Sequence, residues 1–218
     1  MSQIIWYLLI DFIFIIMFFG VKILNNTITK KINNLYSTQL KFQDISDKIK
    51  SLLSKYSLSE IKVDKKKYYS YNQKSKTISI KEKEDYYFAD LFICFHEVGH
   101  CVDFHNNKIR IYNFISIMKI LYVILYPILL FIGLFLIVNK TNWSFLYYTY
   151  LSFFVIALII IFFNPIIEYK ASQFAKNEIN RHIKNIDMYV MLAIFDQMLF
   201  QLLSILPIFL IFYFLFYY

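Results

Sequence analysis

Four long apolar stretches, at roughly 4–24, 113–138, 144–165 and 188–217, constrain this chain more than anything else in it. A hydrocarbon core of about 30 Å takes about 20 apolar residues to cross as a helix. Inside that core every backbone N–H and C=O must be satisfied within the protein, so stretches of this length take the α-helical form. A chain that is 59% hydrophobic and only 17% charged does not suit a water-soluble domain of 218 residues. The expectation is a mainly α membrane protein with about four transmembrane helices. The first stretch has no basic residue before it and no small-residue cleavage site, so it reads as an anchor rather than a secretion signal.

Lysine and arginine give the orientation, because basic loops stay on the cytoplasmic side. Residues 22–112 hold 17 of the 23, from Lys22 to Arg110, and residues 166–187 hold four more: Lys170, Lys176, Arg181 and Lys184. The turn at 139–143 holds only Lys140, and Lys119 can snorkel from the inner end of its span. Both termini are therefore expected outside the cell membrane and both polar segments in the cytoplasm. This divides the chain into an anchor (1–24), a cytoplasmic segment (25–112), a transmembrane pair (113–165), a cytoplasmic helix (166–187) and a last span (188–218). The net charge of +8 follows from orientation and from attraction to anionic lipid of the bilayer. No nucleic-acid-binding motif accompanies it, so no nucleic acid is expected as a partner. Cys94 and Cys101, seven apart, make no disulfide framework and suit a reducing compartment.

Within the long polar segment the hydrophobic period changes twice. Residues 28–43 carry Ile28, Ile32, Leu35 and Leu40 at loose helical spacing, and 46–58 form a clearer amphipathic helix with Ile49, Leu52, Leu53 and Tyr56 on one side. IKV (61–63), KYYSY (67–71) and KTISI (76–80) favour strands, with NQKSK as a hairpin turn. From Asp90 to His105 the spacing is helical again. An edge strand can hold an extended peptide by main-chain hydrogen bonds.

That helix contains His96-Glu97-Val98-Gly99-His100. Positions i and i+4 of a helix project from one face, so the two imidazoles can present nitrogens to one zinc ion at about 2.0–2.1 Å. Glu97 sits one step round, placed to take a proton from zinc-bound water, whose pKa the ion lowers to about 7, and to pass it to a leaving amine. The bland alternative is an exposed helix whose histidines do nothing. Gly99 weighs against it: a mid-helix glycine costs about 1 kcal/mol against alanine, and it lets another backbone approach closely.

Two histidines do not complete a site. His105 is one place short of the third-histidine pattern, since position 106 is Asn and position 103 is Asp where that pattern needs Gly. NPIIEYKASQFA (164–175) offers a carboxylate instead. Asn164 and Pro165 read as a helix start, and Glu168, Ala171, Ser172 and Ala175 then share one face, small enough to press against Gly99. Two spans separate His100 from Glu168, which puts both at the same membrane surface. The alternative, that Glu168 merely caps the third span, stays open on these residues alone. Ser172 or Asp103 could accept a second hydrogen bond from a metal-bound imidazole. Tyr169 and His182 are weaker candidates for steadying an oxyanion. Asp11, Asp196, Gln197 and Gln201 are polar groups within spans and mark either bundle packing or a functional face.

At this point the chain resembles the YugP-like neutral zinc metallopeptidases of bacterial membranes. The resemblance runs nearly end to end: an amino-terminal span, SDKIKSLLSKYSLSEIKV, YNQKSKTISI, HEVGH, a span pair, IEYKASQFA and a last span. It implies a small α+β zincin-like cytoplasmic domain, with a short β-hairpin before the HExxH helix. It further implies Glu168 as third zinc ligand beside His96 and His100, Glu97 as catalytic base, and a gluzincin-like peptidase acting on peptides or membrane-protein segments. The family usually has Ala and Gln where this chain has Cys101 and Asp103, and Asp where it has Lys170. HtpX-like membrane peptidases are the nearest rival; they carry Asp four residues after the ligand glutamate, where this chain has Ser172. The rival function is a nonenzymatic binding or assembly protein with an incidental motif.

Overall fold

The computed structural model describes residues 2–36, 38–107, 109–139, 146–179 and 186–217. The protein is mostly helical, with one three-stranded sheet. Helix α1 (Ser2–Leu35) is followed by α2 (Phe42–Lys55), strands β1 (Lys62–Lys66), β2 (Ser70–Asn72) and β3 (Thr77–Lys81), then α3 (Phe88–Asn107), α4 (Ile109–Val138), α5 (Leu146–Ile179) and α6 (Ile186–Tyr217). These residues form two compact units, one of 1–23, 110–165 and 194–218, the other of 24–109 and 166–193.

In the first unit, α4, α5 and α6 meet along Leu129, Leu136, Tyr150, Phe153, Ile208 and Phe212. The Tyr150 hydroxyl, buried in this cluster, donates to the Leu129 carbonyl at 2.8 Å, satisfying the one polar atom that its ring brings inside. The outward faces are apolar too: Phe131 is 72% exposed, Phe162 70% and Val138 78%. Such surfaces are unfavourable in water and suit lipid. Among the described residues three helices are long and apolar enough to cross a membrane, over Asn113–Val138, Leu146–Ile179 and Ile186–Tyr213. Helix α1 covers the first apolar stretch and exposes Phe12, Ile16, Phe19 and Ile23.

The Asn164-Pro165 pair does not start a helix, as its residue types suggest it would; α5 runs through it. Proline removes one backbone donor and crowds the preceding turn. Here Asn164 is buried and held on both sides, its Oδ1 accepting from Lys119 Nζ at 2.6 Å and its Nδ2 facing Gln197 Oε1 at 3.4 Å. Asp196 Oδ1 and Gln201 Oε1 are buried without a hydrogen-bond partner among the described residues. The Asp11 side chain lies outside them.

The second unit is built on α2, the sheet and α3. Helix α2 buries Ile45, Ile49, Leu52 and Leu53 and turns its lysines outward. Its first turn is closed by the Lys41 N–H donating to Asp44 Oδ2 at 2.8 Å, which satisfies one of the donors that a helix start leaves over. β2 and β3 form the expected antiparallel hairpin, Tyr71 opposite Ile78, whereas β1 pairs with β3 in parallel, Val63 opposite Ile78. The strand order β1-β3-β2 leaves β2 at an edge. β3, the central strand, buries Ile78 and Ile80 completely.

Candidate metal centre

Helix α3 is fixed at its start by Asp90, a buried carboxylate with several partners. Its Oδ2 accepts from the Tyr87 N–H at 2.8 Å and its Oδ1 from the Tyr69 hydroxyl at 2.7 Å, with Lys83 Nζ also on Oδ1. Burial and the bond to Asp90 push the Tyr69 phenol above its usual range. This cluster ties the segment leading into β2 to the first turn of α3. Nearly two helical turns farther on, His96 and His100 lie on one face of α3, their rings 4.6 Å apart.

The segment of α5 from Glu168 to Ala175 packs on α3 where Gly99 lies. A Cβ on Gly99 would come within 2.9 Å of the Ala171 carbonyl oxygen and 3.0 Å of its Cα. Ala171, Ser172 and Ala175 are buried, as the small-residue face predicts. This closeness brings Glu168 to the histidines. Glu168 Oε2 is 3.0 Å from His96 Nε2 and 3.4 Å from His100 Nε2, and the two Nε2 atoms are 3.0 Å apart. His96 Nδ1 is 3.0 Å from Ser172 Oγ, one turn beyond Glu168. Glu97 stands outside this triangle: its Oε2 accepts from the Tyr71 N–H of edge strand β2 at 2.8 Å.

The donor set fits a metal ion. His96, His100 and Glu168 are the group of side chains among the described residues that could hold one. Two atoms bound to one tetrahedral zinc at about 2.0–2.2 Å lie about 3.3–3.5 Å apart, close to the separations found. In the tautomer that carries the His96 proton on Nδ1, towards Ser172, the Nε2 lone pair faces a carboxylate oxygen and another imidazole nitrogen. A cation among the three atoms removes that repulsion and compensates the cost of burying the carboxylate.

A family model, described as "Putative neutral zinc metallopeptidase", matches residues 6–213. The chain belongs to this family. The family name implies zinc dependence, in keeping with the ligand set at the α3–α5 contact. Neither the comparison with curated proteins nor that with solved structures finds a match.

Other candidate residues of this family member lie elsewhere. His105 faces its own helix, its Nδ1 2.9 Å from the Cys101 carbonyl. Tyr169 is half-exposed, and His182 lies outside the described residues. Both cysteines are free and buried; burial pushes the Cys101 thiol up to about 11 and the Cys94 thiol higher still. Three contacts escaped the sequence. The Tyr71 N–H on Glu97 depends on strand register, which a three-residue strand does not announce. The contacts of Asp90 with Tyr69 and Lys83 join residues that no local pattern pairs. Glu178 accepts from Lys55 Nζ at 2.8 and 2.9 Å and from the Tyr56 hydroxyl at 2.5 Å, joining α2 to α5 across 122 residues of sequence.

Proposed function

We propose that this protein is a membrane-anchored zinc-dependent endopeptidase, with His96, His100 and Glu168 as metal ligands, Glu97 as catalytic base and Ser172 orienting His96. The observation that carries the reading is the triangle of His96 Nε2, His100 Nε2 and Glu168 Oε2, with Glu97 held beside it and not in it. A bound zinc ion would supply Lewis acidity, acidifying a water and polarising a peptide carbonyl. Glu97, kept off the ligand set by the Tyr71 N–H, has its other oxygen to take a proton from the attacking water and return it to the leaving amine. Such positioned help is worth about 10²–10⁴ in rate. Strand β2 offers an edge along which an extended peptide can lie.

The lysine and arginine distribution supports a site on the cytoplasmic side of the cell membrane, with both termini outside and the first part of α1 as a fourth span. Its substrates would be peptides or membrane-protein segments. The purified chain should hold about one zinc, lost in His96→Ala and Glu168→Ala and kept in Glu97→Gln. Membranes carrying Glu97→Gln should accumulate uncut species that wild-type membranes process. A metal-free wild-type protein, or full zinc in Glu168→Ala, refutes the ligand assignment. Unchanged proteomes refute proteolysis.

A further inference from the structure

Between α4, α5 and α6 lies a cavity of about 270 Å³. Its walls differ in kind. Lys119, Tyr122, Gln201 and Ser204 are its polar lining residues; Ile160 and Ile161 belong to the larger apolar part of the wall. Lys119 Nζ donates to Asn164 Oδ1, and the hydroxyls of Tyr122 and Ser204 share a hydrogen bond of 2.6 Å. Gln201 Oε1 is buried with no hydrogen-bond partner among the described residues. At the rim Val123 is 67% exposed and Phe200 62%, so the cavity opens on an apolar flank of these helices, the kind of surface that acyl chains cover.

Three features point to one class of ligand. A lysine inside an apolar span is costly to keep there and marks a functional position by default. Lys119 follows the Asn113 start of its span by six residues, about 9 Å of helix, shallow enough for a lipid head to reach in a hydrocarbon core of about 30 Å. Basic pockets between membrane helices on the cytoplasmic side are known to take anionic lipid heads. The orphaned Gln201 oxygen adds a demand that an anion alone does not meet, since a buried acceptor needs a donor. A phosphodiester carrying a free hydroxyl meets both demands, and an acyl chain meets the aliphatic wall.

We propose that this cavity binds one anionic glycerophospholipid with a hydroxylated head, its phosphate on the Lys119 ammonium and a head hydroxyl donating to Gln201 Oε1. The test uses the full chain, stripped of lipid in detergent. Dioleoylphosphatidylglycerol, dioleoylphosphatidylmethanol (same charge, no free hydroxyl), dioleoylphosphatidylcholine and soluble glycerol 3-phosphate are each titrated, with native mass spectrometry and thermal unfolding as readouts. Phosphatidylglycerol should be retained as one molecule per chain, at least tenfold more tightly than phosphatidylcholine, and should raise the melting temperature. Lys119→Met should erase that preference and Lys119→Arg keep it. Gln201→Leu should erase the preference over phosphatidylmethanol and spare that over phosphatidylcholine. Circular dichroism and gel filtration check that each variant is folded. Equal retention of phosphatidylcholine, or full preference in folded Lys119→Met, overturns the site. Binding of glycerol 3-phosphate as tight as that of the lipid overturns the lipid assignment. Should Lys119→Met not fold, the Gln201→Leu arm decides.

Discussion

Gly99→Ala adds a single methyl group at the helix contact that brings the three candidate ligands together. That carbon would lie 2.9 Å from the Ala171 carbonyl oxygen, 3.0 Å from Ala171 Cα and 3.1 Å from Phe174 Cδ1. Carbon atoms in contact settle at about 3.5–4.0 Å, so α3 and α5 must part by about 0.5 Å or more. Two of the three atoms are main chain, so no side-chain trimming on α5 relieves the clash. Overpacking of this kind costs about 1–3 kcal/mol, offset by about 1 kcal/mol from alanine's better helix propensity. The net loss of stability is then about 0–2 kcal/mol, and the fold survives.

The candidate metal centre is less tolerant. Glu168 precedes Ala171 by less than one turn of the same helix, so parting the helices carries its carboxylate away from both histidines. Separations of 3.0 and 3.4 Å would grow by about 0.5 Å, the larger one past the spacing of about 3.3–3.5 Å that one tetrahedral zinc allows. Functional constellations tolerate about 0.5 Å of error. Zinc affinity should fall at least tenfold, measured by competition with a fluorescent chelator, and the rise in melting temperature on adding zinc should shrink accordingly. Gly20→Ala is the control, because nothing lies within 4 Å of its added carbon; it should leave both quantities unchanged. Wild-type zinc affinity in Gly99→Ala would refute the claim that this glycine sets the ligand spacing.

Two further outcomes follow from the same geometry. Ser172→Ala removes the oxygen 3.0 Å from His96 Nδ1 and should weaken zinc about 10–100-fold with little change in far-ultraviolet circular dichroism; an unchanged affinity would leave Ser172 as packing only. For Cys101, burial raises the thiol from 9.0 to about 11, so the fold favours the neutral form. That contribution is complete below pH 9 and is lost as pH rises towards 11. Native protein at pH 8 should resist iodoacetamide at Cys94 and Cys101 and take up two labels in denaturant, counted by intact mass; rapid labelling of the folded chain would contradict the burial of both.

Much of this arrangement was legible because it rests on periodicity and residue size. The alternation of KTISI, the i,i+4 histidines and the row Glu168, Ala171, Ser172, Ala175 each state a geometry that the backbone then enforces, and a glycine in a chain with three of them marks the close approach. Illegible features were those decided by partners distant in sequence. The parallel pairing of β1 with β3 needs a register that no local pattern encodes. The isolated Asn-Pro pair reads as a helix start, yet α5 runs through Pro165, and the contacts of Asn164 with Lys119 and Gln197 on neighbouring helices are written nowhere in that local pattern.

The same division separates the two halves of the candidate site. The grouping of His96, His100 and Glu168 could be read in advance because each lies on a helix, where spacing fixes direction. The hold on Glu97 could not, because it comes from a main-chain N–H whose side chain is irrelevant to the bond: any residue at position 71 except proline supplies the same donor. Glu97 is therefore positioned by the edge of the sheet, on the strand along which a peptide would lie. A substrate that pairs with β2 would meet Glu97, the proposed base, through the same stretch of backbone that holds it in place. On this arrangement substrate alignment and base alignment share one element, and a change in the hairpin turn at 73–76 that shifts the β2 register would disturb both together while leaving the three candidate ligands where they are.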